Sequence, residues 1–296
     1  MMTNNGAIEN LPPQSPLTPV KLTSQDTFQF RCHQDIACFN QCCKHIDLTL
    51  TPYDIWRLQK RLGLSSADFL AQHTVPFELD AQEMPGIKLK TRGNTTECPF
   101  LTEAGCGVYA DRPTSCRYYA LGLMSMKAKD AKTDEDLYFV VKEDHCLGHY
   151  EAQEQTIGEY VKAQGLEEYN GADRAWRQVV LKKRSSGPTI GKPSTRSYQL
   201  FFLASYNLDG FREFVSTEGF NDVYELEEDI QQSLQNDDMY LMQFAFRLLK
   251  QVLYGEMTIP LRADAEERRI QRRRELAALK GEPEFEDRGY DEPIEW

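Results

Sequence analysis

The clearest apolar periodicity lies late in the chain. Leu241, Phe244, Ala245, Leu248, Leu249 and Val252 recur at helical spacing and so share one helix face. Asp237 or Asp238 at its start and Gly255 at its end predict a helix between them. A second helix is signed by "LTPYDIWRLQKRLG", where Thr51 can cap, Pro52 suits the first turn, Asp54 completes a capping box and Gly63 stops the helix. "SSADFLAQH" starts another by the same logic. "TIGEYVKAQG" is capped by Thr156 and ended by Gly165, with "ADRAWRQVVLKK" following it. "GIKLKTRG", "LGLMSMKAK" and "DLYFVVKE" alternate as short strands do, the last two joined by the polar turn "DAKTDE". The aromatic "YQLFFLASYN" and "FREFV" read as core for the later helices. The pattern predicts an α+β fold, mainly helical, with short strands in a Cys-rich domain followed by a helical region.

Composition divides the chain further. Residues 1–26 are polar and Pro-rich, and are expected to be a disordered lead-in. Residues 27–183 hold every cysteine and the helices that trail them. "RSSGPTIGKPSTRS", 184–197, is a Gly-, Pro- and Ser-rich linker. A helical region over 198–262 and a charged helix with an acidic tail over 263–296 complete the chain, with no internal repeat.

Charge and hydropathy exclude some functions. The net charge is −12, and "GEPEFEDRGYDEPIEW" alone carries seven acids against one Arg. The basic runs "LKKRSS" and "RRIQRRR" are short, and the second, flanked by Glu, reads as a solvated helix face. Nucleic acid is therefore not an expected partner, because phosphate binding needs clustered Lys and Arg. The opening residues lack a basic start followed by an apolar run, and no stretch approaches the ~18 apolar residues of a spanning helix. No membrane association and a cytoplasmic location are expected.

The chemistry lies in the thiols. Cys32, Cys38, Cys42, Cys43, Cys98, Cys106, Cys116 and Cys146 all fall in the first half, four of them within "CHQDIACFNQCC". His33, His45, His145 and His149 each lie within three residues of a cysteine, and His73 stands apart. A reducing compartment and a chain long enough for a real core argue against disulfides. Burial as small hydrophobes explains one or two cysteines, but not four beside Gln, Asn, Asp and Lys. Cys116, between Arg112 and Arg117, has the surroundings of a reactive thiol, yet a nucleophile leaves seven cysteines unexplained. Metal ligation accounts for the set, as a zinc site or an iron–sulfur cluster. The spacing C-x5-C-x3-C-C, then C-x7-C-x9-C, lacks the C-x2-C knuckle of zinc ribbons and favours iron–sulfur over zinc. Arg112 and Arg117 are expected to offset thiolate charge, and a nearby His could add a non-sulfur ligand.

"CHQDIACFNQCC", "LTPYDIWRLQKRLG", "CPFLTEAGCGVYADRPTSCRYY" and "DHCLGH" together resemble the YkgJ-type cysteine-cluster family, whose signature is CxxCxxCC. The resemblance covers about residues 28–150. It implies zinc or iron chelation, with Cys32, Cys38, Cys42 and Cys43 matching the first cluster and Cys98, Cys106, Cys116 and Cys146 the later cysteines. The first two gaps here are five and three residues where the signature has two.

Three functional classes follow. The first is a metal-binding protein, with any redox or regulatory role arising from its iron–sulfur or zinc site. The second is an iron–sulfur-assisted enzyme such as a protein lysine methylase, which chains of this kind resemble in part. "GCG" at 105–107 lacks the strand, third Gly and helix of a dinucleotide site. The third is a zinc-stabilised adaptor, with a protein partner bound through the helical C-terminal half.

Overall fold

The computed structural model of the chain describes residues 21–79, 84–126, 135–185 and 193–280. The lead-in before residue 21, the turn over 130–134, residues 186–192 of the expected linker and the acidic tail beyond 280 lie outside them. The fold is α+β and mainly helical, with the short strands in the first half.

In chain order the described elements begin with β1 (Thr27–Gln29), α1 (Pro52–Leu62), α2 (Ser66–His73), β2 (Thr74–Glu78), β3 (Pro85–Leu89), β4 (Leu101–Thr102) and β5 (Gly105–Cys106). Next come α3 (Thr114–Tyr118), β6 (Leu121–Met126), β7 (Glu135–Val140), β8 (Glu154–Thr156), α4 (Ile157–Ala163) and α5 (Leu166–Ser185). The helical remainder is α6 (Thr195–Tyr206), α7 (Leu208–Ser216), α8 (Glu218–Asn221), α9 (Glu228–Asn236), α10 (Asp238–Tyr254) and α11 (Ala265–Lys280). Short 3-10 turns interrupt the cysteine segments, one of them at Gln41–Cys43.

Local chemistry explains the helix ends. The Thr51–Asp54 capping box forms in both directions, with Asp54 N donating to Thr51 Oγ1 at 3.1 Å and Thr51 N donating to Asp54 Oδ2 at 3.0 Å. Thr156 and Glu159 repeat it at the start of α4. Asp237 caps α10 by accepting from Met239 N and Tyr240 N. Gly63 and Gly255 end their helices in the left-handed conformation that only glycine adopts at little cost.

The chain forms two compact units, each discontinuous in sequence. The first comprises Met1–Leu50 and Leu89–Gly171, the second Thr51–Lys88 and Ala172–Trp296. In the first, β1 pairs antiparallel with β8 in the register Thr27↔Thr156, and β6 pairs with β7 over six residues. Leu22 joins the edge of this hairpin through two backbone hydrogen bonds with Tyr138. The core beneath is aromatic: Phe28, Phe30, Tyr118, Tyr138 and Tyr160 pack with Leu121, Ile157 and Leu166.

In the second unit the predicted apolar face of α10 is buried through Leu241, Phe244, Ala245, Leu248 and Leu249, against α6 and α7. Val252 departs from expectation and is 43% exposed. In that last turn the inward position belongs to Gln251, whose amide donates to Ile259 O and accepts from Thr258 N and Ile259 N. The returning chain needs hydrogen-bond partners there, so a polar residue takes the buried place.

Candidate metal centre

The cysteines lie on four segments of the first unit. Residues 32–44 are a chain of tight turns, in which Phe39 N donates to Ile36 O, Gln41 N to Cys38 O and Cys43 N to Asn40 O. Asn40, at φ 68°, supplies the left-handed step that starts the 3-10 turn carrying Cys42 and Cys43.

Backbone hydrogen bonds then fasten the segments together. Cys98 N donates to Cys43 O at 2.8 Å, and Ile46 N donates to Thr96 O at 2.9 Å. The β4–β5 hairpin, with Leu101 opposite Cys106, carries the next sulfur. Gly105 in that hairpin stands at φ +117°, and a Cβ there would lie 3.3 Å from the Phe39 ring. Only glycine satisfies both the backbone and the contact with the cysteine loop. On the other side, Arg31 N donates to Gly148 O at 3.0 Å and Leu147 N donates to the Cys38 sulfur at 3.3 Å. These bonds draw the Cys146 segment against the start of the loop.

None of the eight cysteines is disulfide-bonded. Cys98 and Cys146 are buried, Cys38, Cys43, Cys106 and Cys116 are partly buried, and Cys32 and Cys42 are exposed. The set thus runs from the core of the unit to its surface. Cys32 is open as a residue, but the protein around it, followed by the charges of Cys42, Cys38 and Cys146, pushes its thiol up to about 11. Burial also raises Cys98, Cys106 and Cys146, helped by neighbouring thiols. Cys42 and Cys43, with sulfurs 3.9 Å apart, behave as a pair. A hydrogen bond from Cys43 holds the Cys42 thiol down, and the same bond raises Cys43.

Two cations act on the thiols. Arg112 opposes the rise at Cys32 and Cys106, and Arg92, which sequence reasoning passed over, opposes it at Cys98. Arg92 also donates to Pro99 O and Leu101 O, bracing the loop that holds Cys98. Arg117 has a different task from the charge offset expected of it. It is buried, it lies over the Tyr169 ring at 4.3 Å, and it donates to the carbonyls of Arg112, Gln164 and Ala110. It rivets the turn before Cys116 to the end of α4.

The histidines are turned to other partners. His45 Nδ1 meets Thr96 Oγ1 at 2.8 Å, His149 Nε2 meets Val141 O at 2.9 Å, and His33 and His145 face Glu151 and Glu143. His149 Nδ1 and His33 Nε2 are buried without a hydrogen-bond partner among the described residues.

Among the described residues, no three His, Cys, Asp or Glu side chains stand close enough together to hold a metal ion. The donor set itself suits a soft ion: eight thiols, several of which repel one another when charged. Tyr119 adds a further sign. Its hydroxyl is buried beside Cys146 and Glu143, and its interaction with the Cys146 sulfur favours the thiolate there. Nothing in the sequence singled Tyr119 out.

No curated protein and no solved structure matches the chain. Among the described residues no helix is long and apolar enough to cross a membrane. Residues 31–147, the stretch that holds all eight cysteines, match the family described as "CxxCxxCC: Putative zinc- or iron-chelating domain". The similarity to that family thus takes in every cysteine of the chain and extends over residues 31–147.

Proposed function

We propose that this protein holds an iron–sulfur cluster or zinc through the thiolates of Cys32, Cys38, Cys42, Cys43, Cys98, Cys106, Cys116 and Cys146, with iron–sulfur the favoured cargo. The observation that carries this reading is that all eight cysteines, none in a disulfide, lie in one unit, with the Cys98 and Cys146 segments hydrogen-bonded to the cysteine loop. Eight thiols make the donor set predominantly sulfur. That is the chemistry of iron–sulfur clusters, and of zinc sites, held by four thiolates. When bound, the metal would supply either electron transfer or a structural cross-link.

The chain's own residues do the remainder. Backbone hydrogen bonds position the sulfurs, Arg112 and Arg92 offset thiolate charge, and Tyr119 offers a proton to Cys146. The reading includes a cytoplasmic setting, where thiols stay reduced, and no nucleic-acid partner.

The test is anaerobic purification followed by iron, acid-labile sulfide and zinc analysis beside the visible spectrum. Iron with sulfide and a broad visible band is the expected result. Stoichiometric zinc without colour would move the reading to zinc. Neither metal, with eight titratable thiols, would overturn it.

A further inference from the structure

We propose that the adjacent Cys42 and Cys43 form a dithiol site for a trivalent arsenical, which they hold as a cyclic dithiolate. The inference uses only two of the eight sulfurs and stands apart from the metal reading above.

The pair is already in place. Its sulfurs lie 3.9 Å apart, in the 3-10 turn Gln41–Cys43. That turn is pinned along its length. Gln41 N donates to Cys38 O at 3.0 Å, Cys43 N to Asn40 O at 3.1 Å and Lys44 N to Gln41 O at 3.1 Å. Cys43 O accepts from Cys98 N at 2.8 Å, and Lys44 O accepts from Thr96 Oγ1 at 2.8 Å. The backbone that carries the sulfurs is therefore ordered before any ligand arrives, which lowers the cost of binding one. Cys42 is exposed and Cys43 partly buried, so a ligand enters from the Cys42 side.

Geometry selects the ligand. Among the described residues no three His, Cys, Asp or Glu are grouped as an ion site, so the ligand must be one that two sulfurs satisfy. An atom bonded to both at ~2.3 Å, the usual thiolate–zinc length, would subtend about 115° across the 3.9 Å gap. That is a bent bridge, unsuited to a linear two-coordinate ion. A disulfide fits worse. It needs sulfurs about 2.05 Å apart on Cα atoms about 4.4–6.8 Å apart, whereas neighbouring residues hold theirs at about 3.8 Å. Trivalent arsenic meets both conditions, because it is soft, bent at its bonds and brings its own third substituent.

The reaction balances without an oxidant. Two As–OH bonds of arsenous acid are replaced by two As–S bonds, and each departing hydroxide takes a thiol proton and leaves as water. Arsenic keeps its third hydroxyl and its oxidation state. The second bond closes within the protein. A sulfur confined 3.9 Å from its neighbour acts at roughly molar effective concentration, above the millimolar range of a flexible tether.

One equivalent of phenylarsine oxide, whose oxygen likewise leaves as water, tests this on the full-length, reduced, metal-free protein in about 10 mM monothiol. Mass spectrometry should show one phenylarsenic group per chain. Alkylation and tandem sequencing should show Cys42 and Cys43 protected, and a dithiol should release both. Cys42→Ser and Cys43→Ser should each weaken capture about 100-fold, the ratio of effective to competing thiol concentration. Far-UV circular dichroism checks that each variant folds, and the protection pattern of the unaltered protein stands without them. No adduct, protection of other cysteines instead, or undiminished capture by either folded variant would overturn the proposal.

Discussion

Asp173 offers a quantitative test of the second unit. It lies on α5 with its side chain wholly buried, as is that of Asp54 on α1. Asp173 Oδ1 accepts from Tyr53 N at 3.1 Å, and its Oδ2 has no hydrogen-bond partner among the described residues. Burial, and next the Asp54 carboxylate, push the Asp173 carboxyl up to about 7, against the pull of Thr51, Tyr53 N–H and Arg177. Tyr206, also buried, is raised in turn by burial and by Asp173.

A folded-state value above the unfolded 3.8 means the folded protein binds this proton more tightly. Its contribution is therefore fully present below about pH 4 and is lost as pH rises to about 7, where the cost levels off near ~4 kcal/mol. Asp173→Asn keeps an acceptor for Tyr53 N and cannot ionise. Its stability advantage over the parent should grow by about 3 kcal/mol between pH 5 and pH 8 and then stay flat. Trp56 and Trp176 both belong to this unit, so urea unfolding followed by tryptophan fluorescence reads the relevant transition. A difference that does not change with pH, or an Asn variant less stable at pH 8, would refute the reasoning.

Three further outcomes are expected. Arg117→Lys should destabilise the first unit by about 3 kcal/mol, because one ammonium cannot satisfy three separated carbonyls. Near-UV circular dichroism of its core tyrosines would register the loss, and an unchanged midpoint would contradict it. Gly105→Ala should cost about 2 kcal/mol, since alanine is strained at φ +117° and crowds Phe39, and it should lower bound metal per chain. Equal stability and equal metal content would count against the packing described. Chelation should open the 32–43 loop to proteolysis while leaving most of the helical signal, which the second unit carries. Collapse of the helical signal on chelation would be the contrary result.

How much of this was legible in the sequence follows from the range of each interaction. The Thr51–Asp54 and Thr156–Glu159 boxes and the stops at Gly63 and Gly255 span a few residues, so composition and order sufficed to place those helix ends. The cysteine set was equally visible, because four thiols in twelve positions need no fold to be noticed. Its tethers were not. The bond from Cys98 N to Cys43 O and the pairing of Thr27 with Thr156 join residues far apart in the chain, with no periodicity to announce them. Arg117 shows the remaining difficulty. Its neighbour Cys116 suggested electrostatics, and only three-dimensional placement shows a guanidinium engaged by carbonyls. Asp54 was correctly read as a cap, but its burial beside Asp173 depends on a helix 120 residues later.

The interleaving of the two units has a consequence for the order in which the chain can fold. Between Cys43 and Cys98 the polypeptide leaves the first unit for Thr51–Lys88, which belongs with the chain from Ala172 onward. During synthesis from the N-terminus, all eight sulfurs are available once Cys146 has emerged. The apolar faces of α1 and α2 must still await their covering helices. Metal capture could therefore precede completion of the second unit and close a loop around the excursion, lowering the entropy of the still unfolded segment. A cell short of metal would present the same nascent chain with that loop open, and for longer.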